Sequence, residues 1–116
     1  MKDLAKITFV PQLYVGKNGA EAVEFYKKAF DAIELRRWSN ADGTVHVSEL
    51  EIGGAMFHLH EEKPSERQFS PQTCGGTTSI MGLMVSDPDA LMAKALAAGA
   101  KEGSAMQDYD YGYRQG

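Results

Sequence analysis

Three side chains in this 116-residue sequence have types and spacing that suggest chemistry: Glu49, His58 and His60. They flank Gly53-Gly54, a pair suited to a two-residue hairpin turn because both glycines tolerate positive φ. With that turn, Ile52 faces Ala55, Glu49 faces His58 and Val47 faces His60. Opposed residues share a sheet face, and so do alternate ones. An acid and two imidazoles would then lie together, with Leu50, Ile52, Phe57 and Leu59 on the other face, under helices. Two imidazoles and a carboxylate are the donors of a non-haem iron or catalytic zinc site. Without a metal, the same trio can line a small-molecule pocket. A carboxylate enclosed by apolar walls can also act as a general base, so Glu49 is the candidate catalytic residue, with His58 as its hydrogen-bond partner. The plainer alternative is a partly solvated polar strand face, and a one-residue slip in register would separate the set.

Other residues are weaker candidates. His46 should fall on the helix-facing side. Cys74 lies in a polar stretch without a companion base. Gly75-Gly76 lacks the Lys-Ser/Thr of a phosphate loop. Trp38, Phe69, Tyr109, Tyr111 and Tyr113 are aromatic surfaces suited to walling a pocket. Arg114 is suited to pair an anionic ligand, or equally a surface carboxylate.

The elements that must position these residues are legible in outline. A strand is expected over Ile7–Val15. A helix follows, with Asn18 as cap, Glu21 as the reciprocal partner of a capping box, and Val23, Tyr26 and Phe30 at helical spacing. Asp31 should hold its C-terminal turn. Strands are expected over Ala32–Trp38, Thr44–Ile52 and Ala55–Glu61, with Gly43 left-handed in the turn before the second of these. Residues 63–76 read as a linker between a first module, 1–62, and a partial second module, 77–116. Thr77–Val85 is apolar on both faces and predicts a buried central strand. A second helix is capped by Asp87, has Pro88 in its first turn and is ended by Gly99; Leu91, Met92, Ala95, Leu96 and Ala98 should face the core. A strand over Lys101–Gln107 is possible. The strand–helix unit at Leu13-Tyr14-Val15 is echoed at Leu83-Met84-Val85, an internal repeat.

Composition narrows the function classes. The formal net charge is −4, with 43% apolar and 24% charged residues. An acidic chain without a basic cluster argues against nucleic acid. One cysteine permits no internal disulfide and fits a reducing compartment. No run approaches the roughly 20 apolar residues that span a bilayer, and the N-terminus lacks a signal-type apolar run. The expectation is a cytoplasmic protein with no membrane or nucleic-acid partner.

Several stretches, in order, resemble the PhnB-like (demethylubiquinone methyltransferase-like) branch of the glyoxalase/bleomycin-resistance/dioxygenase, or vicinal-oxygen-chelate, superfamily. They are Pro11-Gln12-Leu13-Tyr14-Val15, Ala22 to Phe30, Ser48 to Gly53, Ser70 to Gly76, Ala97-Ala98-Gly99-Ala100 and Tyr111-Gly112-Tyr113-Arg114-Gln115-Gly116. The resemblance implies an α+β fold of paired βαβββ modules around a cupped, mixed, eight-stranded sheet, and commonly a homodimer. It does not imply one reaction, since members isomerise, cleave, oxygenate or sequester. Relatives that bind metal place ligands at positions matching Val10, Glu49 and Ile80. Valine and isoleucine have no donor atoms, so the usual metal centre is not expected; a divalent metal on Glu49, His58 and His60 is the alternative. The family continues with an Asp-Pro-Phe-Gly-His-like turn and a final strand where this sequence stops, so the second module is expected to lack about two strands and to present an open edge.

The leading expectation is therefore a small-molecule-binding protein of this superfamily with no assigned reaction, its ligand contacted by Glu49, His58, His60, Tyr111 and Arg114. The alternatives are a metal-dependent isomerase, lyase or oxygenase, and a drug-sequestering resistance protein without catalysis. A methyltransferase is not expected, because no glycine-rich nucleotide loop follows the first strand.

Overall fold

The computed structural model describes residues 6–116. Its first half is one βαβββ unit: β1 (Gln12–Val15), α1 (Gly19–Phe30), β2 (Ile33–Ser39), β3 (Val45–Ile52) and β4 (Ala55–Glu61). The sheet order is β1-β4-β3-β2. β1 runs parallel to β4, and the other pairs are antiparallel. The crossover through α1 is what makes the parallel pair possible.

The sheet is two-sided. Toward α1 it presents Leu50, Phe57 and Leu59, which pack with Val23 and Ala32, flanked by Leu13, Val15, Tyr26 and Ile52. Tyr26 lies 5.0 Å from the Phe57 ring. This apolar layer is where burial stabilises the fold.

Local signals acted largely as expected. Gly53 and Gly54 have φ of 55° and 88°, and Ile52 pairs with Ala55, so the hairpin register is the predicted one. Asp31 closes α1 in the left-handed conformation. Asp87 caps α3 (Pro88–Ala97) by accepting from the Ala90 N–H at 3.1 Å.

The capping box at Asn18 is a correction. Asn18 makes no side-chain cap bond. Instead, Glu61 Oε2 accepts from the Gly19 N–H at 3.1 Å and from the Val45 N–H at 3.3 Å. A carboxylate from β4 thus caps α1 from across the fold, where the helix dipole favours negative charge. The approach requires glycine at position 19, because a Cβ there would stand 2.8 Å from Glu61 Oε2 and 2.9 Å from the Val45 Cβ. Glu61→Ala strands both donors and is expected to lower stability by about 1–2 kcal/mol. Thermal unfolding of the variant checks this, and an unchanged midpoint would assign the cap elsewhere.

The second half differs more from expectation. Thr77–Val85 forms no strand, and Ile80 and Met84 are 90% and 79% exposed. A strand buried on both faces needs a ladder on at least one edge, and no described strand pairs with this segment. The expected strand at Lys101–Gln107 shrinks to β5 (Gln107–Asp108), paired with β6 (Arg114–Gln115) as a separate two-stranded sheet. The linker holds a single 3₁₀ turn (Pro64–Glu66) and α2 (Pro71–Cys74). Of the α3 residues expected in the core, Ala95 is buried, and Leu96 is exposed. Among the described residues, one module is complete and no eight-stranded cup is closed. The radius of gyration, 15.7 Å, exceeds the roughly 13 Å of a compact domain this long.

Candidate functional site

The face of the sheet turned away from α1 carries the polar side chains. By register, β4 contributes Met56, His58 and His60, and β3 contributes Val47, Glu49 and Glu51 opposite them. β1 lies on the other side of β4 and sets Gln12 beside His58 and Tyr14 beside His60. β2 sets Arg36 beside Glu49 and Trp38 beside Val47. Alternation along the strands fixes the result: even-numbered residues of β1 and β4 share this face with Val47, Glu49 and Glu51 of β3, while Val45, beyond a register shift between β2 and β3, packs against Gly19 of α1.

Glu49, His58 and His60 are therefore neighbours, as the hairpin count required. His58 Nε2 lies 3.8 Å from Glu49 Oε2. The two imidazoles do not touch, with ring centroids 6.4 Å apart. Gln12 joins them. Its Nε2 donates to His58 Nδ1 at 3.1 Å, and its Oε1 accepts from His60 Nε2 at 2.7 Å. One amide therefore sets both tautomers. His58 must be bare at Nδ1 and carry its proton on Nε2, facing Glu49; His60 carries its proton on Nε2. Tyr14 stacks on His60, with centroids 4.9 Å apart at 21°.

At the other end, Arg36 grips Glu49 through both carboxylate oxygens, with Nε to Oε1 at 3.4 Å and Nη2 to Oε2 at 3.0 Å. Its guanidinium lies 5.0 Å above the Trp38 ring. The face thus carries one connected array, Trp38–Arg36–Glu49–His58–Gln12–His60–Tyr14. Glu49 is only 12% exposed and Arg36 is 66% exposed, so Arg36 covers the carboxylate from the solvent side. To serve as a base, Glu49 would first have to release Arg36.

Burial holds the His60 pKa below the ordinary imidazole value of 6.5, and repulsion from the neighbouring cationic and imidazole groups of His58, His46 and Lys63 pushes the same way. His60 is thus neutral in the fold at neutral pH. The unfolded chain binds its proton more readily, so the contribution of His60 to stability is present above pH 6.5 and is lost as pH falls through its lowered native value. The His60 ring resonance is expected to titrate below 6.5; titration at or above that value would contradict its burial.

Val10 and Ile80 offer no donor, and Ile80 faces solvent. Among the described residues, no group of three His, Cys, Asp or Glu side chains could hold an ion. The two rings lie two residues apart on β4 with centroids 6.4 Å apart, and Arg36 engages both oxygens of Glu49.

Tyr111 and Arg114 are not brought to this face. Arg114 pairs with Asp89 at 2.7 Å and Asp108 at 3.2 Å, bonds that hold its guanidinium still more firmly protonated. It lines a different hollow of about 690 Å³ with Ile80, Val85 and Leu91. Tyr111 stacks on Tyr109 with centroids 5.2 Å apart. The structure thus does not bring either residue to the Glu49–His58–His60 set: Asp89 and Asp108 engage Arg114, and Tyr109 and Tyr113 engage Tyr111. His46 is half-buried, with an Nδ1 that has no protein partner, beside a polar hollow that includes Lys17, Asp42 and Glu61. Cys74 is exposed.

Gln12, Tyr14 and Arg36 were missed by sequence reasoning. Polar–apolar alternation in Gln12-Leu13-Tyr14-Val15 marks them as one face of a strand, but only the non-sequential pairing of β1 with β4 places that face beside the histidines.

No helix among the described residues is long and apolar enough to cross a membrane. Comparison with known proteins agrees with the architecture. An uncharacterized protein from Mycobacterium bovis is 38% identical over 109 residues, covering 91% of this chain and 71% of the relative. A Mycobacterium tuberculosis relative is also 38% identical over 109 residues, and this chain spans 64% of its length. The solved structure of a gene product from Arabidopsis thaliana is similar at 33% identity and a TM-score of 0.68, covering 86% of this chain and 79% of that one. TioX from Micromonospora sp. ML1 shares the fold at 22% identity and a TM-score of 0.64, covering 94% and 85%. A sequence model of the Glyoxalase/Bleomycin resistance protein/Dioxygenase superfamily matches residues 8–116, and with the βαβββ unit already described the chain belongs to that superfamily.

Proposed function

We propose that this protein binds a small molecule on the open face of its four-stranded sheet, as a PhnB-like member of the superfamily acting as a cytoplasmic homodimer. The observation that carries the reading is the continuous array from Trp38 to Tyr14. In that array one glutamine bonds both imidazoles, and one arginine lies between a carboxylate and an indole. Together the array offers flat aromatic surfaces and directed polar groups, the usual makings of a small-molecule site.

Binding requires no metal in this reading. A metal-dependent reaction would need donors that Val10 and Ile80 do not have, or would require Arg36 to release Glu49.

The test uses the single tryptophan of the chain. Titration with 2-naphthoate and 2-naphthamide, followed by proton–nitrogen NMR, is expected to move the Trp38 indole signal and the ring signals of His58 and His60. The competing location is the apolar groove of about 490 Å³ on the α1 side, lined by Leu13, Phe25, Tyr26 and Met81. Shifts confined to that groove, with Trp38 and both histidines unmoved, would sink the open-face reading.

A further inference from the structure

The open face has an unequal charge inventory. By strand register, Glu49 and Glu51 are its acids, and Arg36 is the one Lys or Arg that the four strands place there. Arg37 is turned to the α1 side, where it pairs with Glu34 at 2.7 Å. Any anionic group arriving on this face therefore has a single strand cation to meet.

Arg36 is equipped for that meeting. A guanidinium has five N–H donors in a fixed fork. Glu49 accepts from Nε and Nη2 alone, and among the described residues Nη1 has no partner. The free edge belongs to a side chain that is 66% exposed. The guanidinium carbon lies 5.0 Å from the centre of the Trp38 ring, a flat surface beside the free edge.

We propose that Arg36 is the specificity-determining residue of the site and selects flat ligands that carry a carboxylate, which docks on the unoccupied Nη1 edge of its fork. The inference rests on the open-face binding reading and adds the charge class of the ligand. Glu49 has a positioning role here: by holding Nε and Nη2 it turns Nη1 toward the ligand. A lysine in place of Arg36 supplies charge without the fork, so it restores only part of the selectivity.

The experiment compares 2-naphthoate with 2-naphthamide, which have matched shape and differ in charge, on the full chain, reading the Trp38 indole signal. The wild-type protein is expected to bind the acid roughly two- to fivefold more tightly, the effect of one pair with a mostly exposed arginine. Arg36→Gln should abolish the preference, so that acid and amide bind with equal affinity, with an unchanged unfolding midpoint. Arg36→Lys should keep an intermediate preference. Equal affinity of acid and amide for the wild type would overturn the charge selection while open-face binding stands. So would a preference that survives in Arg36→Gln. If neither compound moves Trp38 at millimolar concentration, both proposals fall together.

Discussion

Leu50→Ala is expected to lower stability by about 2–5 kcal/mol, whereas Glu49→Ala, one residue earlier on β3, should cost under about 1 kcal/mol. Leu50 is fully buried against Val23, Phe57 and Leu59. Removing its branched end leaves a cavity that packed neighbours cannot fill. For a domain whose whole stability is about 5–15 kcal/mol, that is a large share. The melting point should fall by roughly 10 °C or more. Glu49 gives up an ion pair with a mostly exposed arginine, and pairs of that kind are worth little to folding. The variant pair therefore separates fold from site within two adjacent residues. Binding of 2-naphthoate should survive in folded Leu50→Ala at low temperature and weaken in Glu49→Ala. A slip of one residue in the β3–β4 register would exchange the two phenotypes, so denaturation midpoints alone test the pairing of Glu49 with His58.

The hairpin was legible because everything that sets it is local. Gly53-Gly54 fixes the turn, the turn fixes the register, and the register fixes which of Glu49, Leu50, His58 and Leu59 share a face. Helix α1 was legible for the same reason, through the spacing of Val23, Tyr26 and Phe30. What sequence could not supply was contact between distant segments. Glu61 caps α1 from β4, displacing a capping box whose residues are all present at Asn18 and Glu21. Gln12 reaches the histidines because β1 inserts beside β4. Thr77–Val85 shows the opposite failure. Its apolar run has the composition of a central strand, but a strand is defined by its partners, and none of the described strands pairs with it. Arg114 was drawn to the ligand set by its charge and its place in a familiar-looking segment; Asp89, brought near by α3, claims it instead.

The strongest test of the array concerns Gln12. Gln12→Leu removes two hydrogen bonds at once, leaving His58 Nδ1 and His60 Nε2 without partners. At about 1 kcal/mol for each bond that orients a contact group, binding of both naphthyl probes should weaken by roughly 30-fold. That number alone does not separate ordering of the rings from loss of a contact, and Gln12→Glu does. A carboxylate can only accept, so His58 must carry a proton on Nδ1 to bond it, by moving the one on Nε2 or by taking a second. His58 Nδ1 is thus expected to become protonated, while His60 goes on donating through Nε2. Long-range proton–nitrogen correlations of the two imidazoles read this directly. A His58 Nδ1 that stays bare in Gln12→Glu would mean that Gln12 does not order the site. A protonated one, with binding reduced as in Gln12→Leu, would place the recognition in the His58 protons and not in the bulk of residue 12.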